Sequence, residues 1–100
     1  MYKLSRQADQ DLEYILDYTV VNFGVDQAIR YYESLRNCLT VLDEQPGMGR
    51  AVEDIRGDYR RFEHRRHVIF YRLQEGGIFV VRVLHVQMDP ARHLGDELEQ

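Results

Sequence analysis

The sequence predicts an α+β domain in two layers: a short N-terminal strand, an antiparallel helix hairpin, then a three-stranded antiparallel meander. Two changes of pattern carry that expectation. Before the Pro-Gly stretch at Pro46, apolar residues recur at three- and four-residue intervals, the period of a helix face. After it they alternate, the period of a strand. Size is the third observation, since 100 residues support one hydrophobic core, so residues 1–100 are expected to form a single domain.

Tyr2-Lys3-Leu4 reads as a short strand. Ser5 follows as a helix N-cap, because its hydroxyl can accept a backbone N–H that the first turn leaves unpaired. From Ala8 to Phe23, the residues Leu12, Ile15, Leu16, Thr19 and Phe23 keep to helical spacing. At about 100° per residue, Leu12, Leu16, Thr19 and Phe23 define a core arc, with Tyr14, Tyr18 and Val21 on the opposite side. Gly24 ends this helix by tolerating a left-handed backbone. Asp26 is the expected cap of a second helix with the face Ala28, Tyr31, Tyr32, Leu35, Leu39 and Leu42. Pro46, Gly47 and Gly49 stop it. So short a connection makes the two helices an antiparallel hairpin.

His67 to Leu73 and Ile78 to Leu84 alternate as strands about a turn at Glu75-Gly76-Gly77. Tyr59 to His64 is a third strand, polar enough for a sheet edge. Ile78 to Leu84 is apolar on both faces and is expected to be central, with the N-terminal strand on its far side. The sheet is expected to be antiparallel, with the hairpin on one face and Leu16, Leu35, Phe70, Val81 and Val83 in the core. There are no internal repeats, low-complexity tracts or linkers.

An apolar fraction of 44% and a charged fraction of 30% are ordinary for a folded soluble domain and exclude a disordered chain. No apolar run reaches membrane-spanning length, and Met1-Tyr2-Lys3-Leu4-Ser5 offers no signal-peptide core. Cys38 is the one cysteine and reads as a small buried hydrophobe in a reduced, cytoplasmic protein. The net charge of −4 conceals an asymmetry. Asp9, Asp11, Glu13 and Asp17 make the first helix acidic, and Asp96, Glu97 and Glu99 do the same for the C-terminus. Arg56, Arg60, Arg61, Arg65, Arg66 and Arg72 make the intervening stretch basic. Arginine suits forked contacts to carboxylate or phosphate, so this patch fits an acidic protein partner or a nucleic-acid surface.

The polar chemistry gathers where the last strand runs out: His85, then Met88, Asp89, Arg92 and His93. Strand ends are where a scaffold presents functional groups. No nucleophile stands with a base and no metal box is present, so no catalytic residue, metal or cofactor is assigned. His64 and His67, three apart, lack the further ligands that structural zinc requires. Each of these residues also has a plain role. His85 suits a hydrogen-bonded strand end, Arg60 and Arg72 suit pairing with helix carboxylates, and Asp89-Pro90 suits a helix start.

The chain resembles the ParE branch of the ParE/RelE toxin superfamily along nearly its whole length. The N-terminal half does so through Leu4-Ser5-x-x-Ala8-x-x-Asp11-Leu12-x-x-Ile15-x-x-Tyr18, Phe23-Gly24-x-x-x-Ala28 and Pro46-x-x-Gly49-Arg50. The C-terminal half does so through Arg60-x-Phe62, His67-x-Ile69-Phe70-Tyr71-Arg72, Val83-Leu84-His85 and Met88-Asp89-Pro90-x-Arg92-His93-Leu94. Each piece alone is weak, and the ordered set is specific. Two positions depart from the pattern: Arg6 stands where a proline often follows the serine, and Gln87 where many relatives carry a base.

The resemblance implies the toxin of a bacterial toxin–antitoxin pair. ParE-like members poison DNA gyrase and block replication, whereas RelE-like members cleave mRNA on the ribosome. RNA cleavage needs a base, an acid and cations around the phosphate. RelE-like nucleases carry a dense Lys/Arg set on the sheet, but here the three C-terminal strands have no lysine and Gln87 is neutral. The gyrase-directed reading is therefore preferred. The alternatives are a ribosome-dependent endoribonuclease assembled from Arg60, Arg72, Arg82, His85, Arg92 and His93, and a non-toxic antitoxin-binding relative. The implied partners are gyrase and a ParD-like ribbon-helix-helix antitoxin, through which any DNA contact would be indirect. Arg60, Arg72, His85, Met88, Asp89, Arg92 and His93 are the candidate target contacts. Tyr14, Tyr18 and Val21 are the candidate antitoxin contacts.

Overall fold

Ser5 opens the helical layer as its sequence context predicts. In the computed structural model its Oγ accepts the Ala8 N–H at 2.9 Å and donates to the Val81 carbonyl at 2.6 Å, so one hydroxyl caps a helix and clips it to a strand. The structure describes residues 1–53, 57–90 and 92–94. Arg56 of the basic stretch and the acidic Asp96, Glu97 and Glu99 lie outside those described residues.

The element order is β1 (Lys3–Leu4), α1 (Arg6–Phe23), α2 (Val25–Glu44), a 3-10 turn (Pro46–Met48), β2 (Arg50–Ala51), β3 (Tyr59–His64), β4 (His67–Gln74) and β5 (Gly77–His85). The strands form one sheet in the order β1-β5-β4-β3-β2, with β5 between β1 and β4 as expected. Two features depart from the antiparallel meander. β1 pairs with β5 in parallel: β3 already runs in the direction of β1, and the two reversals from β3 through β4 give β5 that direction again. The Met1 ammonium lies 3.2 Å from the Asp43 carboxylate near the end of α2. The second departure is β2, which pairs with β3 and takes over the edge that β3 was expected to form.

Gly24 separates the helices alone. At φ 90° it donates its N–H to Val20 O and accepts the Ala28 N–H through its own carbonyl, so it ends α1 and starts α2. Asp26 is therefore not the cap. It sits inside the first turn, where a carboxylate still favours the helix N-terminus. The buried arc of α1 is Ala8, Leu12, Ile15 and Thr19. Leu16 is half-buried and Phe23 is exposed, which corrects the arc read from periodicity.

The sheet is buried on both faces. Leu12, Ile15, Leu35, Leu39 and Leu42 of the hairpin pack on Ile69, Tyr71, Ile78, Val80 and Val83. On the reverse, Val52, Tyr59, Val68, Phe70, Val81 and Leu84 close around Leu94. The expected core residues Phe70 and Val81 are buried, but in this second cluster. A bulge explains the split: Tyr71 pairs with Val80 and Phe70 with Arg82, leaving Val81 over. Val80 and Val83 thereby share the helix side across three residues. No described helix is long and apolar enough to cross a membrane.

Candidate interaction groove

The outer edge of β5 shapes the site. β1 covers only Phe79 and Val80 of that edge, and beyond it α1 takes over. Asp11 accepts the Val83 N–H at 2.9 Å and forks the Arg82 guanidinium at 2.8 and 2.9 Å. Past this clamp a groove of about 830 Å³ lies between the outer side of α1 and the end of β5. Tyr14, Ile15, Tyr18 and Phe23 form its helix wall, and Val83 lies at its base. Tyr14 and Tyr18 stack with ring centroids 6.3 Å apart. His85, Gln87 and Met88 close the end where β5 finishes, and the β3–β4 turn supplies Arg65, Arg66 and His67.

The histidines beside this turn are fastened to α2. Tyr31 Oη lies 2.6 Å from His67 Nδ1 and also donates to His64 O at 3.4 Å, while Ser34 Oγ lies 3.0 Å from His64 Nε2. His67 meets the His85 ring edge-on at 5.5 Å. Burial pushes the His67 pKa down to about 4, helped by the neighbouring His85 and His64 and opposed by Asp11. Burial, with Arg65 second, lowers His64 too. His67 is thus neutral near pH 7, and its ring tautomer sets whether Nδ1 donates to or accepts from the Tyr31 hydroxyl. Burial raises the Tyr31 hydroxyl and the Cys38 thiol, keeping both protonated.

This has a measurable sign. An unfolded histidine titrates near 6.5, so between about pH 6.5 and pH 4 the unfolded chain takes up a proton that folded His67 refuses. Stability should fall across that window and His67 should add no further loss below it. A shift of this size is worth roughly 3 kcal/mol in a fully buried group, and solvent screening at this partly exposed ring reduces it to about 1–2 kcal/mol. Urea titrations at several pH values should show a shallower fall for His67→Gln than for the wild type. Identical slopes would remove His67 as the cause.

The expected site residues are only partly brought together. Tyr14, Tyr18, His85 and Met88, assigned from sequence to two different surfaces, line one groove. Val21 is exposed but outside it. Arg60 donates to Gly49 O at 2.7 Å, and Tyr71 Oη accepts the Gly49 N–H while donating to Pro46 O, so both side chains fasten the exit from α2. Arg72 lies over the Phe79 ring at 4.7 Å. Neither arginine meets a helix carboxylate. Of the six residues that could compose a nuclease on paper, Arg82 is held by Asp11, Arg60 by Gly49 O and Arg72 over the Phe79 ring. Asp89 precedes a helical turn starting at Pro90, matching its plain role. In that turn Arg92 is exposed, while the His93 carbonyl accepts from Arg82 at 3.4 Å. Sequence reasoning missed Asp11, Tyr31 and the Arg65-Arg66 turn as parts of the site. The only available signal was the unusual run His64-Arg65-Arg66-His67. Among the described residues no group of three or more His, Cys, Asp or Glu is arranged for a metal.

A helix hairpin over a mixed sheet is also the fold of a chain described as "Chromosomal ParDE TA system from P. aeruginosa". The two share a TM-score of 0.73 at 22% identity, over 86% of this chain and 95% of that one. That likeness defines the fold class, and sequence carries it to a family. The family model described as ParE toxin of type II toxin-antitoxin system, parDE, matches residues 2–90. Toxin ParE1 of Caulobacter vibrioides is 40% identical over 94% of this chain and 97% of its own length. Toxin ParE1 of Mycobacterium tuberculosis (strain CDC 1551 / Oshkosh) is 44% identical over 93% and 96%. The chain belongs to the ParE toxin family of type II toxin–antitoxin systems.

Proposed function

We propose that this toxin acts in the cytoplasm by binding DNA gyrase, blocking replication without catalysing a reaction, and that a ParD-like ribbon-helix-helix antitoxin neutralises it. The observation that carries this reading is the groove. It is walled by exposed aromatic side chains, which suit a protein partner, while several of the polar groups around it are engaged with other side chains. Tyr31 is taken up by His67, Ser34 by His64 and Asp11 by Arg82, and His85 Nδ1 accepts the Gln87 N–H at 3.2 Å. The C-terminal turn carrying Met88, Asp89, Arg92 and His93 is the proposed gyrase contact. The hairpin surface around Tyr14 and Tyr18, with Val21 beyond the groove, is the proposed antitoxin contact.

Purified protein should inhibit gyrase-catalysed supercoiling and leave mRNA intact in a translating extract. Codon-specific mRNA cuts that disappear in His85→Ala would overturn the binding mechanism in favour of a nuclease.

A further inference from the structure

The face of the sheet turned away from the helix hairpin carries three arginines on three neighbouring strands. Residues paired directly across antiparallel strands point to the same side. Arg50 of β2 is paired with Arg61 of β3, and Arg61 with Phe70 of β4. Arg72 of β4 is paired with Tyr59, two residues before Arg61. Phe70, Tyr59 and Val52, which stands two residues after Arg50, all belong to the reverse-face core, so the three cations share that face. Like charges set directly opposite each other, as Arg50 and Arg61 are, oppose sheet formation. Glu63 is the one carboxylate on strands β2 to β5, and it pairs with Arg61 at 3.0 Å. Arg50 and Arg72 meet no carboxylate among the described residues. Arg61 Nε is buried without a hydrogen-bond partner, a condition that calls for an explanation.

Two of these guanidiniums are held flat. Arg61 lies over the Phe70 ring at 5.7 Å and Arg72 over the Phe79 ring at 4.7 Å. Stacking leaves the N–H donors around the edge of the guanidinium plane able to fork an anion. Neighbouring strands are ~4.8 Å apart, so the three arginines are spread across ~10 Å. One strand of duplex DNA presents a phosphate about every 3.4 Å of helix axis, so the row spans roughly three of them. We propose that Arg50, Arg61 and Arg72 form a binding face for the phosphodiester backbone of duplex DNA. Single strands are bound largely by stacking bases on open aromatic faces, and here guanidiniums already cover Phe70 and Phe79. A peptide needs an apolar anchor, and the large apolar side chains of this face are spent in the reverse-face core. Contact is therefore with the backbone and carries no base specificity. The net charge of −4 makes such binding weak and salt-sensitive. The inference goes beyond the gyrase reading and does not depend on it.

The test uses the full chain and a labelled short DNA duplex in anisotropy titrations over a series of salt concentrations. Arg50→Gln/Arg72→Gln removes two cations from the face, and Arg65→Asn/Arg66→Gln removes the same charge from the β3–β4 turn. Asparagine suits the positive φ of Arg65, 54°, and urea denaturation checks the fold of both variants. The face variant should bind the duplex at least about tenfold more weakly, with a salt slope shallower by about 2, while the turn variant stays within about twofold of the wild type. Arg50→Gln alone, at an exposed position, should flatten the slope by about 1 and decides the matter if the double variant proves unstable. No saturable binding of the duplex by the wild type, or equal losses in the two double variants, would overturn the inference. So would tighter binding of a single-stranded RNA, or equal binding of a polyglutamate of matched charge. A chain that inhibits supercoiling but binds no duplex refutes this inference alone. One that binds the duplex but fails to inhibit refutes the gyrase reading alone.

Discussion

Asp11→Ala should destabilise the chain by about 3–5 kcal/mol, the usual cost of removing one partner of a largely buried ion pair. The Asp11 and Arg82 side chains are only 14% and 13% exposed, so the guanidinium left behind would be poorly solvated. The same carboxylate satisfies the Val83 N–H on an edge that β1 is too short to cover. Asp11→Asn keeps an acceptor but loses the charge and should cost less, about 1–3 kcal/mol. Replacing Asp11 and Arg82 together by leucine should recover much of the loss in Asp11→Ala, because no unpaired charge then remains. Urea denaturation with an unchanged slope is the measurement. A loss below about 1 kcal/mol for Asp11→Ala would mean that this edge is held by something other than its clamp.

The sequence contained the elements but only part of their arrangement. Helical period and punctuation located both helices, because Gly24 and the Pro46-to-Gly49 stretch are strong local signals. The inward face of α1 was harder to read. Ile15 and Leu16 are adjacent and both apolar, and which one turns inward depends on where the sheet lies. Phe23 keeps the helical spacing yet stands near the hairpin tip, where it is exposed and lines the groove rather than the core. The bulge at Val81 had a larger effect: strict alternation puts Val81 and Val83 on one face, whereas the extra residue sends them to opposite cores. No local residue preference announces that bulge, since valine is an ordinary strand former on either side of it.

The site shows the same division between local and long-range information. Exposure of Tyr14, Tyr18 and Val21 follows from helix geometry alone and was readable. Convergence of His85 and Met88 with the two tyrosines depends on packing between α1 and β5, which are distant in sequence. Arg60 and Arg72 looked like members of one basic patch. In the sheet Arg60 pairs with Tyr71 and Arg72 with Tyr59, which point into opposite cores, so the two arginines cannot act on one ligand from the same face. Asp11 was hidden for another reason. It reads as one more acid in an acidic helix, and only the tertiary contact with β5 distinguishes it from Asp9 or Glu13.

Arg92→Ala with His93→Ala should reduce gyrase inhibition by roughly tenfold or more, the effect of removing a central contact from an interface, while leaving the fold intact. The C-terminal turn is anchored by groups this double variant retains. Leu94 is fully buried in the reverse-face core, and the contact from Arg82 is accepted by the His93 backbone carbonyl. The exposed Arg92 side chain lies outside that anchorage, which is why its loss should register in partner binding. Leu94→Ala provides the contrast. Truncating a buried leucine should cost about 2–5 kcal/mol and release the turn, so stability and inhibition should fall together. The informative pair is thus a double variant that melts like the wild type but inhibits poorly, beside a single variant that does neither well. Full inhibition by the Arg92, His93 double variant would move the gyrase contact away from this turn and onto the groove, where His85 and Met88 already face Tyr14 and Tyr18.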